Sequence, residues 1–302
     1  MEPVARPPRR DLLLIALAIA AVSTAAPLIR EAQAPALAVA FWRNALAVAV
    51  LVPLSAVRRR GEIAGLGARP GAARGAVLAG LLLSAHFATW VPSLSFTTVA
   101  SSVALVATQP VWAALLARAR GQTVPAQAWL GIGVAVGGAV LLTGVDVSLS
   151  ARALAGDLLA LAGGMLAAAY VTAGGEVRQT MSTMLYTTIC YSTAAAGLGL
   201  LCAGGRQALT GFDGRTWLCL AALTAGPQFL GHSIVNRVLR TTSATVVSVA
   251  ILFEIVGSTL IAWAAFGETP PAGAYPAAVL IAAGTVLVVL SGRPPETPPV
   301  VD

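Results

Sequence analysis

The chain has 302 residues, 57% of them hydrophobic and only 10% charged, and a mean hydropathy of +0.83. Soluble domains carry about 25% charged residues, so this composition excludes an ordinary water-soluble fold and points to a bilayer. The net charge of +7 does not indicate a nucleic-acid partner, because the basic residues are all arginine and gather in the short connections between apolar blocks.

A spanning helix needs about 20 mostly apolar residues, and the chain contains ten such blocks. The first, 12–29, follows Arg9 and Arg10 and opens on Asp11-Leu12-Leu13. Ser23-Thr24-Ala25-Ala26 has the look of a signal-peptide cleavage site, but Pro27 would hinder the cut, and the block is expected to stay as a span. The second, 35–57, holds Arg43 and Asn44; the third, 76–96, holds His86 and Trp90. The fourth, 98–117, contains Gln109-Pro110, where the missing N–H of proline frees a carbonyl and permits a kink. The fifth and sixth are 126–144 and 156–175, and the seventh, 180–203, holds two of the three cysteines, Cys190 and Cys202. The eighth, 216–239, contains Cys219, Gln228, His232 and Asn236; the ninth, 242–266, contains Glu254; the tenth is 273–291. The runs are continuous rather than alternating, which favours helices over barrel strands. The longest connection is 58–75, too short for a soluble domain.

Arginine sets the expected orientation. With the N-terminus inside, fourteen of the nineteen arginines fall in inner segments, four (Arg30, Arg152, Arg206, Arg215) in outer ones, and Arg43 in a span. This bias follows the positive-inside rule and places both termini in the cytoplasm. An internal repeat is also visible after about 146 positions. Asp11-Leu12-Leu13 matches Asp157-Leu158-Leu159, Thr97-Thr98 matches Thr241-Thr242, Gly121-Gln122 matches Gly267-Glu268, and Gly138 matches Gly284. The halves are 1–148 and 149–302, and five spans in each make the second inverted relative to the first. Inverted repeats are common in secondary transporters, whose site lies near the midplane between them.

Several of these residues fall in a familiar order. Pro35 through Phe41-Trp42-Arg43-Asn44, His86 to Trp90 leading to Ser95-Phe96-Thr97-Thr98, Gln109-Pro110, and Phe253-Glu254 with Gly267-Glu268 together resemble the EamA-type branch of the drug/metabolite transporter superfamily. The resemblance implies an all-α carrier of ten transmembrane helices, two inverted five-helix repeats around a central cavity, often an exporter of amino acids or other metabolites. The chain departs from the pattern at Ile255, where a proline is frequent, and at Gln122, where a glutamate is frequent.

The expected function is therefore secondary transport of small metabolites, amino-acid-like solutes or drugs across a bacterial inner membrane by alternating access, with export as the expected direction. An intramembrane enzyme or a membrane receptor is the alternative. No HExxH, GxSxG or phosphate-loop motif is present, so neither an enzyme nor a cofactor is expected, and coupling falls to protons or a counter-solute. Ionisable groups deep in a membrane are functional candidates by default. Arg43 is expected to attract an anionic group of the substrate, and Glu254 to take up a proton or an amine, unless the two form a structural pair. His86 and His232, separated by the repeat offset, suggest a relay or a helix–helix hydrogen bond; two neutral ligands are too few for zinc. Trp90, Gln109 and Asn44 complete the candidate set.

Overall fold

The structure is a computed structural model and describes residues 9–231, 234, 238 and 251–291. Among these residues all regular structure is helical. The first half comprises α1 (Arg9–Ser23), α2 (Ala25–Glu31), α3 (Ala36–Arg58), α4 (Arg60–Ala64), a 3₁₀ turn (Gly65–Ala68), α5 (Pro70–Ser93), α6 (Val99–Val106), α7 (Gln109–Ala119) and α8 (Ala126–Leu149). The second comprises α9 (Ala151–Val177), α10 (Thr183–Gly204), α11 (Gly214–Leu223), a π-helical stretch (Thr224–Gly231), α12 (Phe253–Phe266) and α13 (Ala274–Ser291).

Among the described residues, seven helical stretches are long and apolar enough to cross a membrane, and Ala126–Leu142 and Phe253–Phe266 are shorter apolar helices. The eighth expected span continues past Gly231 beyond the described residues, as does the start of the ninth. Two expected spans are broken. The first divides at Thr24, and the fourth divides between Val106 and Gln109, where Pro110 sits in the opening turn of α7. Proline lacks the N–H that a continuous helix would need there. The 58–75 connection is filled by α4 and the 3₁₀ turn rather than by open loop.

Helix starts are fixed by polar side chains. Thr98, Ser150, Ser182 and Asp213 each accept a hydrogen bond from the backbone N–H three residues on, satisfying one of the donors a helix N-terminus leaves unpaired. At the other ends, Gly121 and Gly267 adopt φ of +81° and +65°. These glycines match in the repeat, and a side chain at either would strain the left-handed turn. Large apolar side chains such as Leu13, Leu130, Val140, Leu200, Leu218 and Val279 point outward and are more than half exposed. A contiguous apolar surface of this kind is suited to lipid.

The packing has a pseudo-two-fold pattern. The fifth expected span of each half pairs with its mate, α8 on α13, and the second expected spans do likewise, α3 on α10. The contact of α5 with α9 corresponds to that of the π stretch with α1, and the contact of α6 and α7 with α9 corresponds to that of α12 with α1. Mates run antiparallel. Gly131 lies against Gly284 and Val288, whereas Gly138, two turns on, lies against Ala277 and Ile281. Likewise Ser55 meets Thr188, and Phe41 meets Gly199. An axis that exchanges antiparallel helices is perpendicular to them, hence in the plane of any bilayer they span. The repeat is therefore inverted. Backbones of two helices come close at Gly284, where an added Cβ would lie 2.3 Å from the Ala135 backbone nitrogen.

Candidate functional site

Arg43 lies on α3 and is 1% exposed. Its Nε donates to Gln228 Oε1 at 2.9 Å, its guanidinium carbon sits 4.3 Å from the centroid of the Phe87 ring, and its backbone carbonyl accepts from Thr224 Oγ1 at 3.4 Å. Gln228 Nε2 in turn donates to Asn44 Oδ1 at 3.3 Å, and Asn44 Nδ2 donates to the Ala40 carbonyl at 2.8 Å. This chain of amides joins the halves, because Arg43 and Asn44 come from α3 while Gln228 comes from the π stretch. Pro227 lies within that stretch. Proline removes one backbone donor, and single π turns concentrate at functional sites.

Two donors in this region have no hydrogen-bond partner among the described residues. Arg43 Nη1 and Trp90 Nε1 are both buried and make no hydrogen bond. Leaving a buried donor unmet costs about 1–3 kcal/mol, more when it is charged. Cation–π contact with Phe87 offsets part of this for Arg43. Glu254, on α12, lies within electrostatic range of Arg43. No direct ion pair joins Arg43 and Glu254, so the structural pair weighed as the alternative is not formed in this state.

His86 and Trp90, one turn apart on α5, stack with ring centroids 5.5 Å apart and planes 17° from parallel. His86 Nδ1 is 2.9 Å from the Gly163 carbonyl on α9, which ties the two halves together. Gln109 stands apart, half-buried in the first turn of α7. His232 lies outside the described residues. Trp42 faces the α10–α11 connection: its Nε1 donates to the Leu209 carbonyl at 2.7 Å and its ring packs edge-on against Trp217.

The sequence alone missed a second polar group at the end of the bundle. Arg30, in the last turn of α2, pairs with Glu268, after α12, and the other oxygen of Glu268 accepts from the Val99 N–H at 2.6 Å. Arg215 pairs with Glu31 at 2.6 Å, and the Gln33 N–H donates to Thr216 Oγ1 at 3.2 Å. All of these contacts join residues of one half to residues of the other. The repeat offered a signal, since Glu268 matches Gln122, which cannot carry the same charge.

The sequence matches the EamA-like transporter family twice, over residues 10–144 and again over 154–290. The chain belongs to the EamA-like transporter family. The double match falls on the two halves that the packing exchanges, and family membership makes the chain a multi-pass membrane protein of a transporter family rather than of an enzyme family. No curated protein matches the chain. One solved crystal structure is 20% identical, covering 93% of this chain and 97% of its own, with a TM-score of 0.61. At that identity the likeness concerns the fold.

Proposed function

We propose that the chain is a secondary transporter of ten spans that moves small metabolites, amino-acid-like solutes or drugs by alternating access, with export as its direction and the inner membrane of a bacterium as its location. The observation that carries this reading is the buried amide chain Arg43–Gln228–Asn44 bridging two inverted halves. Halves exchanged by an in-plane axis have two nearly equivalent arrangements, one open to each side. The Arg30–Glu268–Val99 group supports the same reading, because it joins the two halves at one end of the bundle.

Within this site Arg43 holds an uncommitted cationic donor for an anionic group of the substrate, and Glu254 exchanges a proton or receives an amine. Asn44 and Trp90 supply hydrogen-bonding and stacking surface, His86 positions α5 against α9, and Gln109 and His232 are secondary members. Purified protein sealed into vesicles and loaded with a metabolite mixture tests the proposal. Movement of a solute without chemical conversion is the expected result; conversion would indicate an enzyme, and binding without movement a receptor. Full pH-dependent transport by Glu254→Gln removes that carboxylate from coupling, and wild-type uptake by Arg43→Ala removes Arg43 from substrate recognition.

A further inference from the structure

A cavity of about 280 Å³ lies at the end of the bundle where α3 finishes and α5 begins, lined by Gly61, Glu62, Gly65, Leu66, Ala68, Arg69, Ala72, Thr180 and Met181. Its walls are the α4 and 3₁₀ segment on one side and the α9–α10 junction on the other. Because the spans Ala36–Arg58 and Pro70–Ser93 meet at this segment, the cavity sits at the level of lipid headgroups. Between residues 58 and 74 the chain places five arginines, Arg58, Arg59, Arg60, Arg69 and Arg74, against one carboxylate, Glu62. That carboxylate is committed: its oxygens accept from the Ser182 N–H at 2.7 Å and from Ser182 Oγ at 2.5 Å. Among the described residues none of the five arginines is in an ion pair. Arg69 spends Nη1 on the Thr180 carbonyl at 3.1 Å, which fixes its guanidinium at the rim.

The lining is half apolar, with Leu66, Ala72 and Met181 beside the polar rim, and an ideal Cβ at Gly61 or Gly65 meets nothing within 4 Å. One fixed guanidinium, that of Arg69, at the rim of a part-apolar cavity, with Arg58, Arg59, Arg60 and Arg74 in the same connection, matches a phosphate with acyl chains beside it. Basic pockets at helix ends recognise anionic headgroups in this way, and guanidinium binds phosphate oxygens through paired N–H donors. We propose that this pocket binds the phosphodiester headgroup of an anionic phospholipid from the adjoining leaflet. The assignment is independent of what the central site carries.

The test separates a pocket from diffuse surface charge. Thermal unfolding of the purified chain in detergent is measured with added phosphatidylglycerol, phosphatidylcholine or inorganic phosphate. Phosphatidylglycerol is expected to raise the midpoint, as a ligand of the folded state must, and the other two are not. Gly65, in the lining, has a helical φ of −77° and space for a side chain, so Gly65→Leu adds bulk to the pocket wall while keeping all five arginines. Arg69→Gln removes the rim cation at an exposed position and leaves the fold intact. Both variants are expected to lose the response to phosphatidylglycerol, while Arg206→Gln, in the α10–α11 connection, retains it. A full response in either pocket variant overturns the proposal, because surface charge alone then explains the effect. An equal response to inorganic phosphate overturns the lipid assignment.

Discussion

Removing the Glu268 carboxylate tests whether the polar group at the end of the bundle holds the two halves together. Glu268→Ala deletes both the pair with Arg30 and the acceptor for the Val99 N–H. The Arg30 and Glu268 side chains are 34% and 15% exposed, so their pairing alone is worth roughly 0.2–1 kcal/mol. The bond from Val99 is the larger contribution. It is charge-assisted, worth about 1.5–3 kcal/mol, and it places a carboxylate at the start of α6, where the helix dipole favours negative charge. Together they hold this contact between the halves by roughly 2–4 kcal/mol, or about 30-fold or more at about 1.4 kcal/mol per tenfold. Ser102, on α6, is fully buried and hydrogen-bonded to Ser93 at 2.7 Å. A cysteine placed there reports opening through its reaction with an impermeant maleimide. Its labelling in Glu268→Ala is expected to accelerate on the order of tenfold or more, measured against protein without the added cysteine. Arg215→Ala, which breaks the more exposed pair with Glu31, is expected to change the rate far less. An unchanged rate in Glu268→Ala would show that the halves are held elsewhere.

Gly284→Val places a side chain where a Cβ already comes 2.3 Å from Ala135 N and 2.5 Å from the Gly131 carbonyl. Backbone on both sides leaves nothing soft to move, so a loss of about 3 kcal/mol or more is expected, read as a collapse of monodisperse protein on size exclusion. Gln228→Leu leaves Arg43 Nε without its acceptor and Asn44 without its donor; thermal unfolding is expected to show a loss of about 2–3 kcal/mol. A stability equal to wild type would mean that Arg43 finds another partner. Asp213 caps α11, and hydrogen bonds from the Thr216 side chain and backbone N–H hold its carboxyl below the usual carboxylate range. A group with a depressed folded value contributes stability above its unfolded value, roughly 3.9, and loses it as pH falls through the folded one. Backbone exchange at the start of α11 is therefore expected to rise on acidification in the wild type and to be flat in Asp213→Asn.

Much of the architecture was legible in the sequence because membrane insertion depends on local properties. Continuous apolar runs of helical length, arginine in the connections, and repeated pairs such as Gly121 with Gly267 can each be read without knowing what touches what. Even the reason for that glycine pair is local, a left-handed turn ending α7 and α12. The breaks at Thr24 and near Gln109 were less legible, since proline permits a break without fixing its form. Pro227 produced a π-helical stretch rather than a simple kink.

The site was legible by residue type and not by partnership. Arg43 and Asn44 were candidates because buried charge and amide groups are costly in a membrane, yet their bonds to Gln228 cross about 185 positions of chain. Arg43 and Glu254 were expected to meet or to act together, and the structure leaves them in electrostatic range without a direct pair. Phe87 beneath the guanidinium and Val99 beside Glu268 gave no sign in the sequence, because an apolar ring and a backbone N–H look the same in every helix. Composition and periodicity determined that this chain spans a membrane as two inverted halves. Only tertiary packing decided which polar groups are satisfied, which donors are left open between the halves, and where the halves are locked, because those energies depend on distances between segments that the sequence keeps far apart.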